Sequence, residues 1–564
     1  MKWFGLRTVS VTSVSRFQRG IVCAGVVIAS LVFSPFVHAQ GGAKGPLVII
    51  NAASFERLMS QAVTTFEAAG RPELAETLGG GLARVNDLKG LTRNQSVGVM
   101  IYLNGLSPSV VAYVPVKNIG DLLKTVELAP VTTKKISETQ YEIMGQRQTI
   151  YVRLQGDYAF VSNESAALDG EIPDPVQVTR RLSAQYDLSA AINLKGLDPN
   201  TRSLFYNIFK AQAENGLQRR DNEPEAAYEL RRAEGERTLA TVEILLNQGD
   251  EILVGWTVSQ AEKVAALEIV TTATPGSEYA SYFNELKGAR SRFSNLLNTQ
   301  SPLSVSMSWK LDKPSRKSLR KMLAVAQKEM LGNLAKEDDT AADQDHPIRQ
   351  LVQVLDATFV EGHADLIAQM VGTPPGPYSL VGGIKMNDSG TLTKALEDIL
   401  GRLKGRPQFS DVRLNASTHK GINIHRLEPA QTGSGENRER MFGGKPAIYL
   451  AVDDQVLWFA VGADNAPVEL KRAIDRAAEP AKDGTTIPFQ MVMNFASWTD
   501  IFDPEQRTTG FAGLARKSFS KGGDSLRVEV LPVTDGARFR IQFDEAFLRL
   551  AGSAIARQMD GGSN

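Results

Sequence analysis

The architecture of the chain is indicated by GDEILVGWTVSQAEKVAALEIVTTATPGSEYASYF at Gly249–Phe283 and its echo, GDSLRVEVLPVTDGARFRIQFDEAFLRLAGSAI, at Gly523–Ile555. Each stretch opens with Gly-Asp and alternates apolar and polar residues through two segments that a polar turn joins. Each then ends on an apolar stretch with helical spacing. The pattern predicts a β-hairpin followed by a helix, and it occurs twice.

A second pattern, a strand followed by a polar junction and a helix, occurs six times. At each junction the apolar spacing changes from two to between three and four, and capping residues separate the two parts. The predicted strands and their following helices are Leu47–Asn51 with Phe55–Ala69, Val110–Val116 with Asp121–Leu128, Ser189–Leu194 with a helix through Ala213, Leu303–Leu311 with a helix ending near Leu331, Ser379–Met386 with Thr391–Leu403, and Phe489–Asn494 with Trp498–Phe502.

The order of these units predicts an α+β fold made by tandem duplication of a mainly antiparallel sheet unit with packed helices. A predicted hairpin at Ile150–Ser162 recurs at Ile448–Ala460 with a constant offset of 298. Short hairpin turns exclude an all-parallel sheet over most of the chain, and each half is expected to hold about nine strands. The first repeat is assigned to residues 40–295 and the second to residues 296–564. Chance recurrence of common strand–helix units is the alternative.

The first 39 residues have the features of a secretory signal peptide. Four basic residues and no acidic one precede an apolar run at Ile21–Phe33, and Val37-His38-Ala39 places small residues at a cleavage site. The run is shorter than the roughly 20 residues that a membrane-spanning helix needs. An uncleaved anchor is the alternative. We therefore expect an exported protein, in the periplasm or at the cell surface, with no later membrane span.

Composition limits the classes of partner. The only cysteine, Cys23, lies in the signal peptide, so the mature chain would form no disulfide. Removing the four basic residues of the signal peptide from 63 leaves 59 against 63 acidic residues, a net charge of −4. This balance argues against nucleic acid or an anionic membrane surface as an electrostatic partner. The length favours two or more domains.

Three polar inserts interrupt the pattern. Gln218–Arg237 is charged and predicted to be helical, Lys336–Asp345 is acidic and predicted to be a loop, and Gln431–Gly444 is predicted to be a mobile loop.

No constellation of residues names a reaction, a metal or a cofactor. The best metal candidate is Glu361, His363 and Asp365, which would share one face of a strand. A polar strand edge is the favoured interpretation, because the chain shows no supporting residues for a metal site. The other histidines of the mature chain are not spaced as zinc ligands: His346, His419 and His425.

Ser318 and Lys321 fit the Ser-x-x-Lys pattern of penicillin-interacting serine enzymes, but the companion motifs are missing. The serine lies in a predicted basic helix, Lys313–Lys328, with an apolar stripe at Leu319, Met322, Leu323 and Ala326. A solvated helix face is the favoured interpretation. The basic residues crowd the first turns, where the helix dipole disfavours cations, so the helix could contact a lipid surface or an acidic partner. Three tryptophans at apolar strand positions are expected in the core: Trp256, Trp309 and Trp458.

Two further stretches are GPYSLVGGIKMNDSGTLTKALEDIL at Gly376–Leu400 and PAIYLAVDDQVLWFAVG at Pro446–Gly462. On these stretches the mature chain resembles uncharacterised exported bacterial proteins of planctomycete type. The resemblance implies no known activity.

Two functions are consistent with these features. The first is an exported, non-catalytic binding or structural protein, which could carry a lipid or another hydrophobic ligand in an apolar groove between the halves. The alternative is an exported hydrolase that uses paired carboxylates on a cell-envelope or sugar polymer, with the carboxyl groups about 5–10 Å apart. An assembly protein whose exposed strands pair with neighbours is a third option.

Overall fold

The computed structural model describes residues 45–77, 88–104, 107–127, 130–146, 148–334, 345–360, 362–373, 376–430, 436–479, 487–502 and 510–561. The predicted signal peptide lies outside these residues, as does the predicted acidic loop except for Asp345. Within the described residues, no helix combines the length and apolar character that a membrane crossing requires.

The strands are β1 Val48–Ala52, β2 Val97–Asn104, β3 Ser107–Pro115, β4 Thr132–Lys135, β5 Gln140–Met144, β6 Thr149–Gln155, β7 Tyr158–Ser162, β8 Leu188–Asn193, β9 Gly249–Ser259, β10 Val264–Ala273, β11 Leu303–Trp309, β12 Ala364–Val371, β13 Ser379–Lys385, β14 Phe409–His419, β15 Ile422–Pro429, β16 Ala447–Val452, β17 Val456–Gly462, β18 Phe489–Asn494, β19 Ser525–Val533 and β20 Gly536–Phe543.

The α-helices are α1 Phe55–Ala68, α2 Ile119–Val126, α3 Pro175–Gln185, α4 Pro199–Leu217, α5 Glu225–Gln248, α6 Glu278–Leu286, α7 Lys313–Leu334, α8 Pro347–Leu355, α9 Ser389–Leu403, α10 Glu436–Phe442, α11 Ala466–Ala477, α12 Phe495–Phe502, α13 Gly510–Phe519 and α14 Glu545–Gly561. All six predicted strand–helix units and both hairpin–helix units are confirmed, with ends that shift by a few residues.

The chain divides into two compact units. The first contains the described residues of 45–55, 88–184 and 188–252, and the second contains those of 56–87, 185–187 and 253–561. Helix α1 after Phe55, and strand β9 from Leu253 onward, thus belong to the second unit. The boundaries of the compact units therefore differ from the boundary between the two predicted repeats, which lies at residue 295.

Each unit is built on an antiparallel sheet. In the first unit the strand order is β4–β5–β6–β7–β3–β2–β1–β8. In the second unit it is β9–β10–β20–β19–β18–β11–β12–β13–β17–β16–β15–β14. Helices pack on these sheets, so the predicted α+β class with a mainly antiparallel sheet is confirmed.

The strand order of the first unit recurs in the second. Adding ten to each strand number of the series β4–β5–β6–β7–β3–β2–β1–β8 gives β14–β15–β16–β17–β13–β12–β11–β18, and every one of these pairs is observed. Each half holds ten strands in the described residues rather than the nine predicted. The sequence gives little sign of a short strand such as Thr132–Lys135, because its residues TTKK include no apolar side chain.

Two of the predicted junctions act as helix caps at equivalent places. The side chain of Asn118 accepts a hydrogen bond from the Asp121 N–H at the start of α2, at 3.1 Å. The side chain of Asp388 accepts one from the Thr391 N–H at the start of α9, at 3.0 Å, and this bond lowers the pKa of Asp388. Both caps satisfy N–H groups that a helix start leaves unpaired.

Two inserts differ from their predicted structure. In Gln218–Arg237 only the part from Glu225 is helical, because α4 ends at Leu217 and residues 218–224 form a turn that Arg231 holds through Glu223, at 2.7 Å. The loop predicted at Gln431–Gly444 contains helix α10, whose Met441 packs against Met370 and Tyr378. Residues 431–435 lie outside the described chain.

Candidate functional site

The residues proposed as metal ligands are engaged in other contacts. The Asp365 carboxylate accepts hydrogen bonds from the Ser291 hydroxyl and the Arg292 N–H, both at 2.7 Å. Burial raises the pKa of Asp365, although these bonds oppose the rise. Glu361 lies outside the described residues, and within them no group of three or more metal-ligating side chains is formed. Asp365 therefore holds the 288–300 segment against strand β12.

His363 lies at the edge of a small pocket. Its Nε2 atom is 2.9 Å from the Ser308 hydroxyl, and burial lowers the pKa of His363. The pocket has a volume of about 280 Å³, and Tyr282, Glu285 and Lys310 also line it. Ser308 is fully buried, so its hydroxyl cannot meet a substrate as a nucleophile would.

The remaining histidines have separate structural contacts. His346 caps α8 by accepting a hydrogen bond from the Ile348 N–H, His419 contacts Asp475, and His425 accepts a hydrogen bond from the Asn415 N–H.

The helix that carries Ser318 is formed as predicted, but its buried side is not the predicted stripe. Ser318 is buried rather than solvated, and Val325 is buried seven residues later, whereas Met322 is exposed. The buried positions thus lie to one side of the predicted apolar stripe on the helix surface, not within it. Arg320 at the exposed side forms a two-bond ion pair with Asp356, at 3.0 and 3.1 Å.

The most unusual feature of the second unit is an apolar sheet face that helices cover only in part. On β11 the residues Leu303, Val305 and Met307 point to this face and are partly exposed, while Ser304 and Ser308 on the other face are fully buried. Ordinary alternation places the apolar residues of a strand inside and the polar ones outside. Strand β11 has the reverse arrangement.

The strand register extends this apolar face over five neighbouring strands. Val305 lies opposite Met491 on β18 and Ala368 on β12, and the row continues through Gly382 to Phe459. We name these positions the second apolar face, and its fifteen residues are Phe489, Met491, Met493, Leu303, Val305, Met307, Leu366, Ala368, Met370, Leu380, Gly382, Ile384, Leu457, Phe459 and Val461.

Helices cover only parts of the second apolar face. At one part, Leu457 and Ile384 pack with Val354 of α8 and Leu392 of α9. At another, Leu303, Met370 and Leu380 pack with Met441 of α10 and Trp498 of α12. Between them Val305, Met307 and Phe459 remain partly exposed, and a side chain added at Gly382 would meet the ring of Phe459. Phe459 therefore lies over the glycine as part of this apolar surface.

The opposite face of the same strands is a packed core. Trp458 is 1% exposed, packs edge-on against Phe293 with ring centroids 5.7 Å apart, and donates from Nε1 to Asp453 at 2.8 Å. Ile367 and Leu470 of helix α11 join the same cluster. The predicted core position of Trp458 is confirmed.

The first unit has a matching face. Its residues lie on the strands whose numbers are lower by ten, and we name them the first apolar face: Leu188, Ala190, Ile192, Val48, Ile50, Ala52, Val97, Val99, Ile101, Val110, Ala112, Val114, Ala159 and Val161. Ile50 is 48% exposed and Leu188 is 44% exposed. All fourteen positions are apolar, as are the fifteen of the second apolar face.

Polar atoms are again buried on the opposite side. Asn51 of β1 is buried there, accepts a hydrogen bond from the Tyr113 hydroxyl at 2.9 Å and donates one to the Ser183 hydroxyl at 3.1 Å. Around it Met100, Tyr113 and Phe160 form a closed core. The two units therefore share an all-apolar face and a packed face behind it. In the first unit helices α4 and α5 cover part of the apolar face, where Val48 and Ile101 are buried, whereas Ile50 and Leu188 stay exposed.

No protein family, curated protein or solved structure matches this chain.

The apolar faces were not predicted from the sequence. Alternation shows which residues share a face, but it does not show which face another element covers. The available signal was the alternating run LSVSMSW at Leu303–Trp309, whose small polar residues suit close burial as well as solvent.

Proposed function

We propose that the protein is an exported carrier or binding protein for a hydrophobic ligand, such as a lipid acyl chain, which lies along the apolar faces. The observation that supports this proposal is that parts of both faces stay open in the folded chain: Ile50 and Leu188 are exposed on the first, and Val305, Met307 and Phe459 are partly exposed on the second. Soluble proteins rarely leave contiguous apolar surface uncovered, and larger patches mark binding sites. The proposal locates a ligand site within each unit.

The composition of the faces favours a hydrocarbon ligand. All the positions of both faces are apolar, so nothing on them would hydrogen-bond a sugar or a peptide backbone. Covering apolar surface contributes about 25 cal/mol per Å² of surface removed from water. A long acyl chain can cover enough of this surface for measurable affinity, even after the cost of ordering the chain.

We further propose that the two faces arose by tandem duplication of one α+β unit. The repeated strand order and the equivalent caps at Asn118 and Asp388 support this origin. Export, through a signal peptide at residues 1–39, is part of the same proposal and rests on the sequence alone. A hydrolase with paired carboxylates is not favoured by any specific observation in the described residues.

The proposal predicts saturable binding of cis-parinaric acid, a fluorescent polyene fatty acid, to the purified chain. Ile50→Glu and Val305→Glu each place a charge on one face, and each is expected to lower the binding capacity by about half, because burial of an unpaired charge is costly. Val468→Glu on α11 is the control, since Val468 is 47% exposed but belongs to neither face. Absence of saturable binding, or equal loss in all three variants, would contradict the proposal.

A further inference from the structure

The hairpin β19–β20 carries a group of arginines that its counterpart lacks. Strand β19 contains Arg527, and β20 contains Arg538 and Arg540. The strands of the matching hairpin, with β9 reading GDEILVGWTVS and β10 reading VAALEIVTTA, contain no lysine or arginine. Since both hairpins form the same structure, the fold does not require cations at these positions.

The register brings the three arginines together on one face of the second unit's sheet. Arg538 and Arg540 are two residues apart on β20, so their side chains point to the same face. Arg527 lies opposite Gln542, which is two residues beyond Arg540. Neighbouring members of the group are therefore separated by about 7 Å between Cα atoms.

The carboxylates next to these arginines take their hydrogen bonds from neutral groups. Glu268 accepts a hydrogen bond from the Tyr186 hydroxyl at 2.7 Å, and Glu529 accepts one from the Gln490 amide at 2.7 Å. Both carboxylates are buried, and in the register they flank Arg540 on its two sides. Their contacts to the Nε atoms of the arginines are longer, at 3.5 Å from Arg538 and Arg540 to Glu268 and 4.0 Å from Arg527 to Glu529.

The arginines consequently keep unused hydrogen-bonding capacity. Their three Nε atoms are buried and donate no hydrogen bond within the described chain. The side chains are 29–39% exposed, so the ends of the guanidinium groups reach solvent. Each guanidinium has five N–H donors in a planar fork that matches the oxygens of phosphate or carboxylate. Three positive and two negative charges leave an excess of one positive charge.

We propose that Arg527, Arg538 and Arg540 form an anion-binding site for a phosphate group. Phe539 and Ile541 of β20 lie on the side of the sheet that is continuous in register with the second apolar face. The three arginines lie on the opposite side. It is therefore distinct from the proposed hydrophobic site and does not depend on it. The phosphate can belong to a free anion or to a lipid headgroup, because both present the same oxygens.

Isothermal titration of the full chain with inorganic phosphate at low ionic strength tests the site. Arg538→Ala and Arg540→Ala are each expected to weaken binding by about tenfold or more, since each variant loses charge-assisted hydrogen bonds to the anion. Arg413→Ala is the matched control, because Arg413 is also a strand arginine of the second unit and pairs with Asp411. If the alanine variants do not fold, Arg538→Lys and Arg540→Lys replace them in the titration. Lysine keeps the positive charge but lacks the planar fork of N–H donors.

Glu268→Gln is expected to change phosphate affinity in the opposite direction to the arginine variants. The amide can still accept the hydrogen bond from Tyr186, but the local excess rises by one positive charge, so phosphate affinity is expected to increase severalfold. Co-sedimentation with phosphatidylglycerol vesicles, compared with phosphatidylcholine vesicles, distinguishes a lipid headgroup from the free anion. Failure of both probes to bind the wild-type chain, or equal affinity in the arginine variants and Arg413→Ala, would overturn the proposal.

Discussion

The two faces of the second unit's sheet differ in solvent exposure, and the difference is the reverse of what their polar and apolar composition predicts. On one face serines, glutamines and a tryptophan are buried, and on the other most of the apolar side chains are partly exposed. Strand β11 shows both within seven residues, since Ser304 and Ser308 are buried between the partly exposed Leu303, Val305 and Met307. On this strand the polar side chains are thus buried, while the apolar ones keep part of their surface in contact with solvent.

This difference separates what the fold needs from what it leaves available. Several of the buried polar groups are held by specific bonds, such as that between Ser308 and His363, because an unpaired buried group is costly. The apolar face gives up part of its burial energy, which a protein under selection for stability alone would recover by covering it. We interpret the packed face as the stabilising side and the apolar face as the binding side.

The largest expected effect distinguishes adjacent residues of β17. Trp458 lies in the packed face, and Trp458→Ala is expected to lower the free energy of unfolding by about 3–5 kcal/mol, because it leaves a cavity and removes one hydrogen bond to Asp453. Phe459 is on the apolar face, and Phe459→Ala should cost about 1–2 kcal/mol, because the ring is partly exposed already. Urea unfolding measures both values.

Binding should respond in the opposite order. Phe459→Ala is expected to weaken cis-parinaric acid binding more than Trp458→Ala does, provided that both variants are folded at the assay temperature. Similar stability losses at the two positions would show that the two faces are equally packed.

A smaller effect tests the same contrast between the packed and apolar faces, with substitutions that leave the side-chain volume nearly unchanged. Val492 is buried on the packed face, so Val492→Thr is expected to destabilise the chain by about 1–3 kcal/mol through its buried hydroxyl. Val305 is partly exposed, so Val305→Thr should cost less than about 1 kcal/mol and should reduce fatty-acid binding instead. Thermal or urea unfolding of the pair gives the comparison, and equal costs would remove the distinction.

The smallest expected effect concerns pH on the polar side of the second unit. Burial holds the pKa of His363 below its ordinary value of 6.5, so the unfolded chain binds a proton more readily than the folded chain. The contribution of His363 to stability is therefore present above pH 6.5 and is lost as the pH falls from there through the lower pKa of the folded state. His363→Gln should show a weaker loss of stability between pH 7 and pH 5 than the wild type. An unchanged slope would show that His363 does not titrate in this range.

The fold could be predicted from the sequence to a large extent. Its strand–helix units depend on local alternation and capping, and the Asn118 and Asp388 caps lie within the predicted junctions. Strand pairing that is remote in sequence, such as β10 with β20, could not be read from local patterns, because Ala265 and Phe543 meet only in the folded chain. The helix within Gln431–Gly444 was missed because contacts of Met441 with Met370 and Tyr378, distant in sequence, stabilise it.

The candidate site was much less predictable. Glu361, His363 and Asp365 were the sequence-based metal candidates, yet Asp365 is occupied by Ser291 and Arg292. The carrier hypothesis came from architecture alone, and no residue of an apolar face was named for it. Neither the contacts of Asp365 nor the apolar faces could be read from the sequence, since local alternation does not determine which face of a sheet is covered.

The most direct test of the central claim is native mass spectrometry of the full chain purified without detergent, compared with denaturing mass spectrometry of the same sample. The proposed function predicts excess native mass that denaturation releases as lipid, and less of it in the Ile50→Glu and Val305→Glu variants than in Val468→Glu. A native mass equal to that of the chain alone, unchanged after incubation with fatty acid, would contradict a hydrophobic ligand on the apolar faces.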